Sequence, residues 1–85
     1  MGLFSRISRS ADLMNGMAHR VGADLEAATL ADPDSEVARY RSAVLGCSTC
    51  REQDACQKLQ QGCTQLDEAP AYCVNRDMLA AMARS

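Results

Sequence analysis

The sequence predicts an all-α fold, a small bundle of four or five short helices packed around a four-cysteine site. Apolar residues recur at steps of three and four along several segments, which places them on one face of a helix. No segment shows the alternation of apolar and polar residues that is typical of a strand. The chain has five cysteines and only 4% aromatic residues, so a metal or disulfides are expected to support a modest core.

The chain has 85 residues, enough for one domain over 1–85 and too few for two. A net charge of −2 gives no electrostatic attraction to nucleic acid, so no nucleic-acid partner is expected. No apolar run is long enough to span a membrane, and the first residues contain no continuous apolar leader. We therefore expect a cytoplasmic protein, and in that reducing compartment clustered cysteines indicate metal or redox chemistry more often than structural disulfides.

An amphipathic helix is predicted over residues 1–22. Gly16 costs on the order of 1 kcal/mol relative to alanine in a helix, so the helix is expected in one piece or two. Gly22 is a suitable C-cap. The apolar face is expected to pack on the core. The alternative is a face that binds a partner, including a second copy in a homodimer, or a membrane surface. That face comprises Leu3, Phe4, Ile7, Ala11, Met14, Met17, Ala18 and Val21.

Two further helices are predicted before the cysteines. Asp24 is expected to cap a short helix that ends at Leu30. Asp32 and Pro33 are expected to start the next helix, because aspartate accepts hydrogen bonds from free N–H groups and proline suits the first helical position. Gly46 is expected to end that helix. Its predicted buried face consists of Val37, Tyr40 and Val44, with Leu45 beside it.

The remaining segments predict two more helices. Thr49-x-x-Glu52 fits a capping box, so a helix is expected to begin at Cys50 and to end near Gly62. Residues 62–71 are expected to form a loop. Asn75 is a suitable N-cap for a last helix, whose predicted apolar side consists of Met78, Leu79 and Met82.

Four cysteines in region 47–73 are the candidate ligands of a metal centre: Cys47, Cys50, Cys56 and Cys73. Three of them lie close to predicted helix starts, where free N–H groups favour thiolates. The set is wide for one small ion, whose sulfur ligands lie about 2.3 Å away, whereas a [4Fe–4S] cluster accepts ligands that are further apart. Zinc sites also tend to combine two Cys-x2-Cys hairpins, whereas this chain contains only one Cys-x2-Cys motif.

Two alternatives to the iron–sulfur cluster remain open: an all-cysteine zinc site, and thiols or disulfides without metal. Cys63 lies outside the four-cysteine frame and is expected to be a buried apolar thiol, with a resolving or intermolecular thiol as alternatives. His19 is the single histidine and is expected to be solvated instead of serving as a ligand.

The run Cys47-x2-Cys50-x5-Cys56 resembles the spacing in WhiB-like proteins and in iron–sulfur DNA glycosylases. Those families have a further cysteine upstream; here Cys73 takes the place of the fourth ligand, so neither fold carries over. Nearly the whole chain resembles an uncharacterised family of small bacterial proteins, which implies the four-cysteine set and no particular activity. The shared features are Met14 and Met17, Gly22-Ala23-Asp24-Leu25, the three-cysteine run, and Tyr72-Cys73-Val74-Asn75.

No arrangement of nucleophile, base and acid is apparent in the sequence, so the protein is not expected to be an enzyme. The expected function is that of a small iron–sulfur protein that senses redox state or iron, or acts as an accessory protein, through an unidentified protein partner. A zinc-stapled helical interaction module and a thiol redox switch are the alternative functions.

Overall fold

The computed structural model describes residues 2–84, except for the side chain of Leu3. Within that range the chain forms five helices and no strand, so the predicted all-α bundle is confirmed. None of these helices combines the length and the apolar character needed to cross a bilayer. The helices are α1 (Gly2–Val21), α2 (Leu25–Ala31), α3 (Pro33–Ser48), α4 (Gln53–Gly62) and α5 (Arg76–Arg84).

Helix α1 runs unbroken through Gly16 and ends at Gly22, as the sequence predicted for its C-cap. Gly22 has a φ of +83°, a conformation that glycine adopts without steric cost. The N–H of Ala23 donates to the carbonyl of Ala18 at 2.9 Å and that of Gly22 to His19 at 3.3 Å. This pair of bonds is a Schellman motif, which satisfies carbonyls left free at the helix end.

The predicted starts of α2 and α3 are confirmed in position but only one of the two aspartates caps with its side chain. The carboxylate of Asp24 accepts from the N–H of Ala27 at 2.9 Å. The side chain of Asp32 makes no capping bond, and its N–H instead donates to Ala28 at the end of α2. Pro33 occupies the start of α3, where the missing N–H costs nothing.

The predicted boundary between α3 and α4 is wrong. Helix α3 continues past Gly46 to Ser48, because the Thr49 hydroxyl donates to the Gly46 carbonyl at 2.7 Å and closes the end of α3. Thr49 therefore acts at a C-terminus and not in a capping box, and α4 begins at Gln53 instead of Cys50. Cys47 lies in the last turn of α3, and Cys50 lies in the connecting turn.

Side-chain bonds fix how the helices pack. Arg6 donates to the carbonyl of Ser48, and Asn15 donates to the Tyr40 hydroxyl at 2.9 Å, so α3 runs antiparallel to α1. In contrast, the pairs between α1 and α4 advance together along both helices, which makes those helices parallel. These pairs are Arg9 with Asp54, Leu13 with Gln60, and Arg20 with Cys63.

The core is built on the C-terminal two thirds of α1. Met17, Ala18 and Leu79 are each at most 2% exposed, and Met14 joins Ala43 and Val44 in a second buried cluster. Part of the predicted buried faces is wrong. The exposed members are Phe4 at the start of α1 and Val37, Tyr40 and Leu45 on α3.

The exposure of Val37 and Tyr40 has a physical reason. Helix α2, which lies along the first half of α3, has no buried residue and is too short to cover that face. The predicted place of Leu3 in the apolar face lies outside the described side chains.

The segment between α4 and α5 is held against the helices it passes. The N–H of Leu66 donates to the carbonyl of Arg20 at 2.8 Å. Asn75 directly precedes α5, as predicted, and its buried side-chain amide donates to the Ala43 carbonyl at 2.9 Å. These bonds bring Cys73 to the same region of the bundle as the end of α3.

Candidate functional site

Four of the five cysteines line one small cavity: Cys47, Cys50, Cys56 and Cys73. They come from four different segments, namely the end of α3, the α3–α4 turn, the second turn of α4 and the loop before α5. The cavity measures about 20 Å³, room for roughly one water molecule. The fold thus brings the four predicted ligand residues to a common place although 26 positions separate the first from the last.

The rest of the cavity wall is mainly apolar. Helix α1 contributes Leu13, Met14 and Met17, and the C-terminal part of the chain contributes Tyr72 and Leu79. Such a lining keeps water away from the sulfur atoms and lowers the local dielectric, which strengthens every electrostatic interaction that the sulfurs make.

The four side chains do not converge as ligands of one small ion. Across residues 2–84, no three cysteine, histidine, aspartate or glutamate side chains form a group able to hold a metal ion. All five cysteines are free thiols. The cysteines therefore surround the cavity without closing on its centre.

Each of the four sulfur atoms has a polar group beside it. Nε2 of Gln60 donates to Sγ of Cys56 at 3.3 Å. The backbone N–H of Glu52 donates to Sγ of Cys50 at 3.4 Å. The Ser10 hydroxyl lies beside the Cys47 thiol, but its proton is donated to the Arg6 carbonyl. The Asn75 N–H bonds to Cys73, so three of the four sulfurs accept from an N–H group. Hydrogen bonds of this kind favour the thiolate, the form of cysteine that binds metals.

The orientation of the Gln60 amide is fixed by its neighbours. Its nitrogen also donates to the carbonyl of Leu13 at 2.9 Å, and its oxygen accepts from Nη1 of Arg20 at 3.4 Å. Arg20 is itself held by the carbonyls of Gly16, Gln60 and Cys63, at 2.8–3.0 Å. Because the oxygen faces Arg20, the nitrogen has to face Cys56.

Gly16 makes room for this amide. A Cβ atom at position 16 would lie 2.1 Å from Oε1 of Gln60. The glycine that weakens α1 by sequence criteria therefore leaves the space that the Gln60 side chain occupies.

A second buried polar group supports Cys47. Ser10 is fully buried, donates to the Arg6 carbonyl at 2.7 Å and accepts from Nε2 of Gln53 at 3.0 Å. The same Gln53 nitrogen donates to the backbone carbonyl of Cys47 at 2.8 Å. The last turn of α3 is thereby tied to both α1 and α4.

Burial outweighs these hydrogen bonds in the free thiols. Burial, followed by the nearby sulfurs of Cys50, Cys56 and Cys73, raises the pKa of Cys47 to about 11. Burial likewise raises the pKa of Cys56 and that of Cys73, while their hydrogen-bond donors act in the opposite direction. The expectation that Cys47 and Cys50 lie at a helix N-terminus is wrong, because Cys47 lies in the last turn of α3 and Cys50 lies outside a helix. The expectation for Cys73 is confirmed in position, since it lies just before α5 and the Asn75 N–H bonds to its sulfur.

Cys63 and His19 lie away from the cavity. Cys63 is half-buried at the C-cap of α4, and its thiol donates to the carbonyl of Leu59 at 3.1 Å. His19 is exposed, as predicted, and lines a different surface depression. The structure separates both residues from the four cysteines, in agreement with their exclusion from the predicted ligand set.

A family model matches residues 1–85, the entire chain. The chain belongs to the family of unknown function DUF6455. This match confirms the predicted membership of an uncharacterised family and assigns no activity. No curated protein and no solved structure matches the chain. The similarity to WhiB-like proteins stays one of cysteine spacing.

Sequence reasoning missed three polar residues of this DUF6455 protein: Ser10, Gln53 and Gln60. A signal for them existed. Gln53, Cys56 and Gln60 are spaced by three and four positions, which puts both amides on the cysteine face of α4. Ser10 likewise lies three positions after Ile7 and four before Met14, within the apolar face of α1.

Proposed function

We propose that this protein holds an iron–sulfur cluster at Cys47, Cys50, Cys56 and Cys73 and serves as a small redox-sensing, iron-sensing or accessory protein. One observation carries the proposal: these four thiols line one apolar cavity, and three of them accept a hydrogen bond from an N–H group at the sulfur. Cys63 lacks both properties, because it lies elsewhere and uses its thiol as a donor.

The wide spacing of the four cysteines along the chain favours a cluster over a single ion. A single zinc ion requires four sulfurs about 2.3 Å from one point, and the side chains do not converge in that way. A cluster distributes its ligands over several iron atoms and so suits a wider set. When bound, such a cluster supplies one-electron redox chemistry.

The residues around the sulfurs would tune that chemistry. Hydrogen bonds to ligand sulfurs and exclusion of water are two of the determinants of cluster potential. Gln60 supplies a side-chain hydrogen bond to Cys56, and Leu13, Met17 and Leu79 exclude water. Since burial raises the pKa of Cys47, Cys56 and Cys73, metal binding to these thiols would release protons and strengthen as the pH rises.

The test is anaerobic purification of the full chain, or reconstitution with iron and sulfide, followed by iron and sulfide analysis and a visible spectrum. We expect a brown protein with close to stoichiometric cluster. Serine at any one of Cys47, Cys50, Cys56 or Cys73 should lower the iron content several-fold. Cys63→Ser is the matched control and should retain the cluster. A colourless, iron-free product after reconstitution, or loss of iron in Cys63→Ser alone, contradicts the proposal.

The volume of the cavity favours a second candidate, a zinc-stapled helical interaction module. About 20 Å³ suits a single ion without outward movement of the walls, provided that the cysteine side chains rotate inward. This function predicts about one zinc per chain by elemental analysis and a loss of helical circular dichroism when a chelator is added. Full helicity without zinc contradicts it.

Either centre would act through a protein partner in a reducing cytoplasm, where the five free thiols remain reduced. A homodimer through the N-terminal part of α1 is an alternative partner arrangement, since Phe4 is 80% exposed there. Sedimentation of the wild type and of Phe4→Ser distinguishes the two, because only the homodimer dissociates on this substitution.

The third function, a thiol redox switch, predicts a loss of two hydrogens for each disulfide formed under oxidant. Mass spectrometry of the oxidised metal-free chain measures it. An unchanged mass excludes intramolecular disulfides.

A further inference from the structure

A groove separate from the cysteine cavity lies between α2 and the first half of α3. We call it the acidic groove, and its volume is about 440 Å³. It adjoins a second depression at the end of α1, because Asn15 and Leu25 line both. The groove is lined by Asn15, Leu25, Glu26, Thr29, Leu30, Glu36, Val37 and Tyr40.

Large apolar side chains are concentrated in this groove. Leu30 is 78% exposed, Val37 52% and Tyr40 37%, and all three line it. Helix α2, which forms one wall, has no buried residue of its own. Leu25 at its start is partly buried against the core, whereas Leu30 near its end is exposed. A cluster of neighbouring exposed apolar residues is typical of a surface that binds a partner.

The surroundings of the groove are strongly negative. Residues 22–38 contain five carboxylates and no lysine or arginine, namely Asp24, Glu26, Asp32, Asp34 and Glu36. Because the whole chain has a net charge of −2, the remainder has a net charge of +3. Glu36 pairs with Arg39 at 2.9 Å. In the described part of the chain, Glu26, Asp32 and Asp34 form no ion pair.

We propose that the acidic groove binds an amphipathic helix of another protein, with an apolar face bordered by lysine or arginine. Helix-in-groove recognition requires an apolar cleft for side chains at positions i, i+3 or i+4, and i+7. Leu30, Val37 and Tyr40 provide that cleft, and the carboxylates complement basic residues on its borders. The inference is independent of metal binding, because the groove contains no cysteine.

The same charges argue against other occupants. A symmetric contact between two copies would set this surface against itself and bring like charges together. The arginines of α1 are already engaged within the chain: Arg6 with Ser48, Arg9 with Asp54, and Arg20 with Gln60. An anionic lipid surface would be repelled by the carboxylates.

A displayed library of helical peptides, randomised at apolar and charged positions and selected against the full chain, tests the proposal. We expect enrichment of peptides with one apolar face and bordering lysine or arginine. Val37→Ser should weaken their binding about tenfold, because a buried valine contributes on the order of that factor. Leu45→Ser is the matched control, since Leu45 lies on the same helix, is 50% exposed and lies outside the groove.

The salt dependence and the charge variant give a second readout. Glu26→Gln should weaken binding a few-fold, and rising salt should weaken it further. Circular dichroism of the exposed-site variants confirms that they fold. Enrichment of neutral or acidic peptides, equal binding to Val37→Ser, or no enrichment overturns the proposal. A wild-type dimer that Val37→Ser dissociates overturns it in favour of a second copy.

Discussion

The cysteine cavity and the acidic groove are two clefts in one small bundle, and they are built in opposite ways. Leu79 at the cavity is 1% exposed, whereas Leu30 at the groove is 78% exposed. Four helices and a loop form the cavity, and its polar side chains are hydrogen-bonded to fixed partners. The groove is formed chiefly by α2 on α3, and its residues are mostly exposed to solvent.

This difference indicates which residues can be substituted without a loss of stability. No buried side-chain nitrogen or oxygen in the described residues lacks a hydrogen-bond partner, so each polar substitution near the cavity leaves another group unsatisfied. At the groove, water is available to replace a lost contact. The cavity therefore behaves as part of the core, and the groove as a surface that evolution can alter without unfolding the chain.

The sharpest test of this contrast is a matched pair of leucine truncations. Leu79→Ala should lower the free energy of unfolding by about 2–5 kcal/mol, because it opens a hole in the core. Leu30→Ala should change it by less than about 0.5 kcal/mol, because that side chain is already in water. Urea denaturation followed by circular dichroism measures both, and equal losses would break the distinction between the two clefts.

The next largest effect is expected at alkaline pH, which should lower the stability of the metal-free protein through the buried thiols of the cavity. The ordinary thiol pKa of 9.0 applies to the unfolded chain, and burial raises that of Cys47 to about 11. The contribution of this thiol to the free energy of unfolding is complete below pH 9 and is lost as the pH rises through 11. The reason is that the thiol of the unfolded chain loses its proton at a lower pH than the thiol of the folded chain. Burial raises the pKa of Cys56, Cys73 and Tyr72 too, which acts in the same direction.

Urea midpoints of the metal-free protein between about pH 8 and pH 11 measure this decrease. The variant Cys47→Ser should show a smaller decrease. A midpoint that stays constant or rises over this range would show that the thiols are more solvated than their positions indicate.

Two glycine-to-alanine substitutions in helices should change the free energy of unfolding in opposite directions. Gly62→Ala should stabilise the protein by up to about 1 kcal/mol, because a Cβ there meets no other atom within 4 Å. Gly16→Ala should destabilise it by about 1 kcal/mol, because the displaced Gln60 loses hydrogen bonds of about 1 kcal/mol each. Thermal denaturation measures both, and stabilisation by Gly16→Ala would mean that the Gln60 amide is not held.

The smallest effect is expected at the ion pair on the outer rim of α1 and α4. Arg9 lies 2.7 Å from Asp54 and lowers the pKa of that carboxyl, first through the hydrogen bond and then through its charge. The pair stabilises the fold at pH values above 3.8, the ordinary pKa of the carboxyl, and this stabilisation is lost as the pH falls further, through the lowered pKa of Asp54. Asp54→Asn should therefore produce a slight loss at neutral pH that disappears at high salt.

That last prediction is checked by denaturation in low and high salt. A loss that persists at high salt would show that Asp54 contributes to the cavity wall and not only to the surface.

Local sequence patterns predicted the helix boundaries correctly where a single residue determines the boundary. Gly22 ends α1 because it accepts a positive φ, and Asp24 starts α2 because its carboxylate reaches the N–H of Ala27. Both effects act within a few positions of the chain, so sequence reasoning finds them. The cysteine spacing also predicted correctly which four thiols share a cavity.

Sequence patterns failed to predict the structure where a residue suits two local structures equally well. They also failed where a residue far away in the sequence determines the structure. Thr49 suits the end of one helix as well as the start of the next, and its hydroxyl bonds backwards to Gly46. The role of Gly16 depends on Gln60, which lies 44 positions later. Exposure of Val37 depends on how little of α3 is covered by α2, and no property of α3 itself reveals that.

The seating of Leu79 against α1 has a consequence for biosynthesis. The ribosome makes α1 first, but part of the cover of its apolar face, including Leu79, comes from the last third of the chain. Contacts of such long sequence separation form late, and a nascent chain that stops before Cys73 has neither a complete set of cysteines nor a closed core. A metal centre that uses Cys73 would therefore be completed only after that residue is made, and until α5 docks, Leu13 and Met17 lack part of their cover.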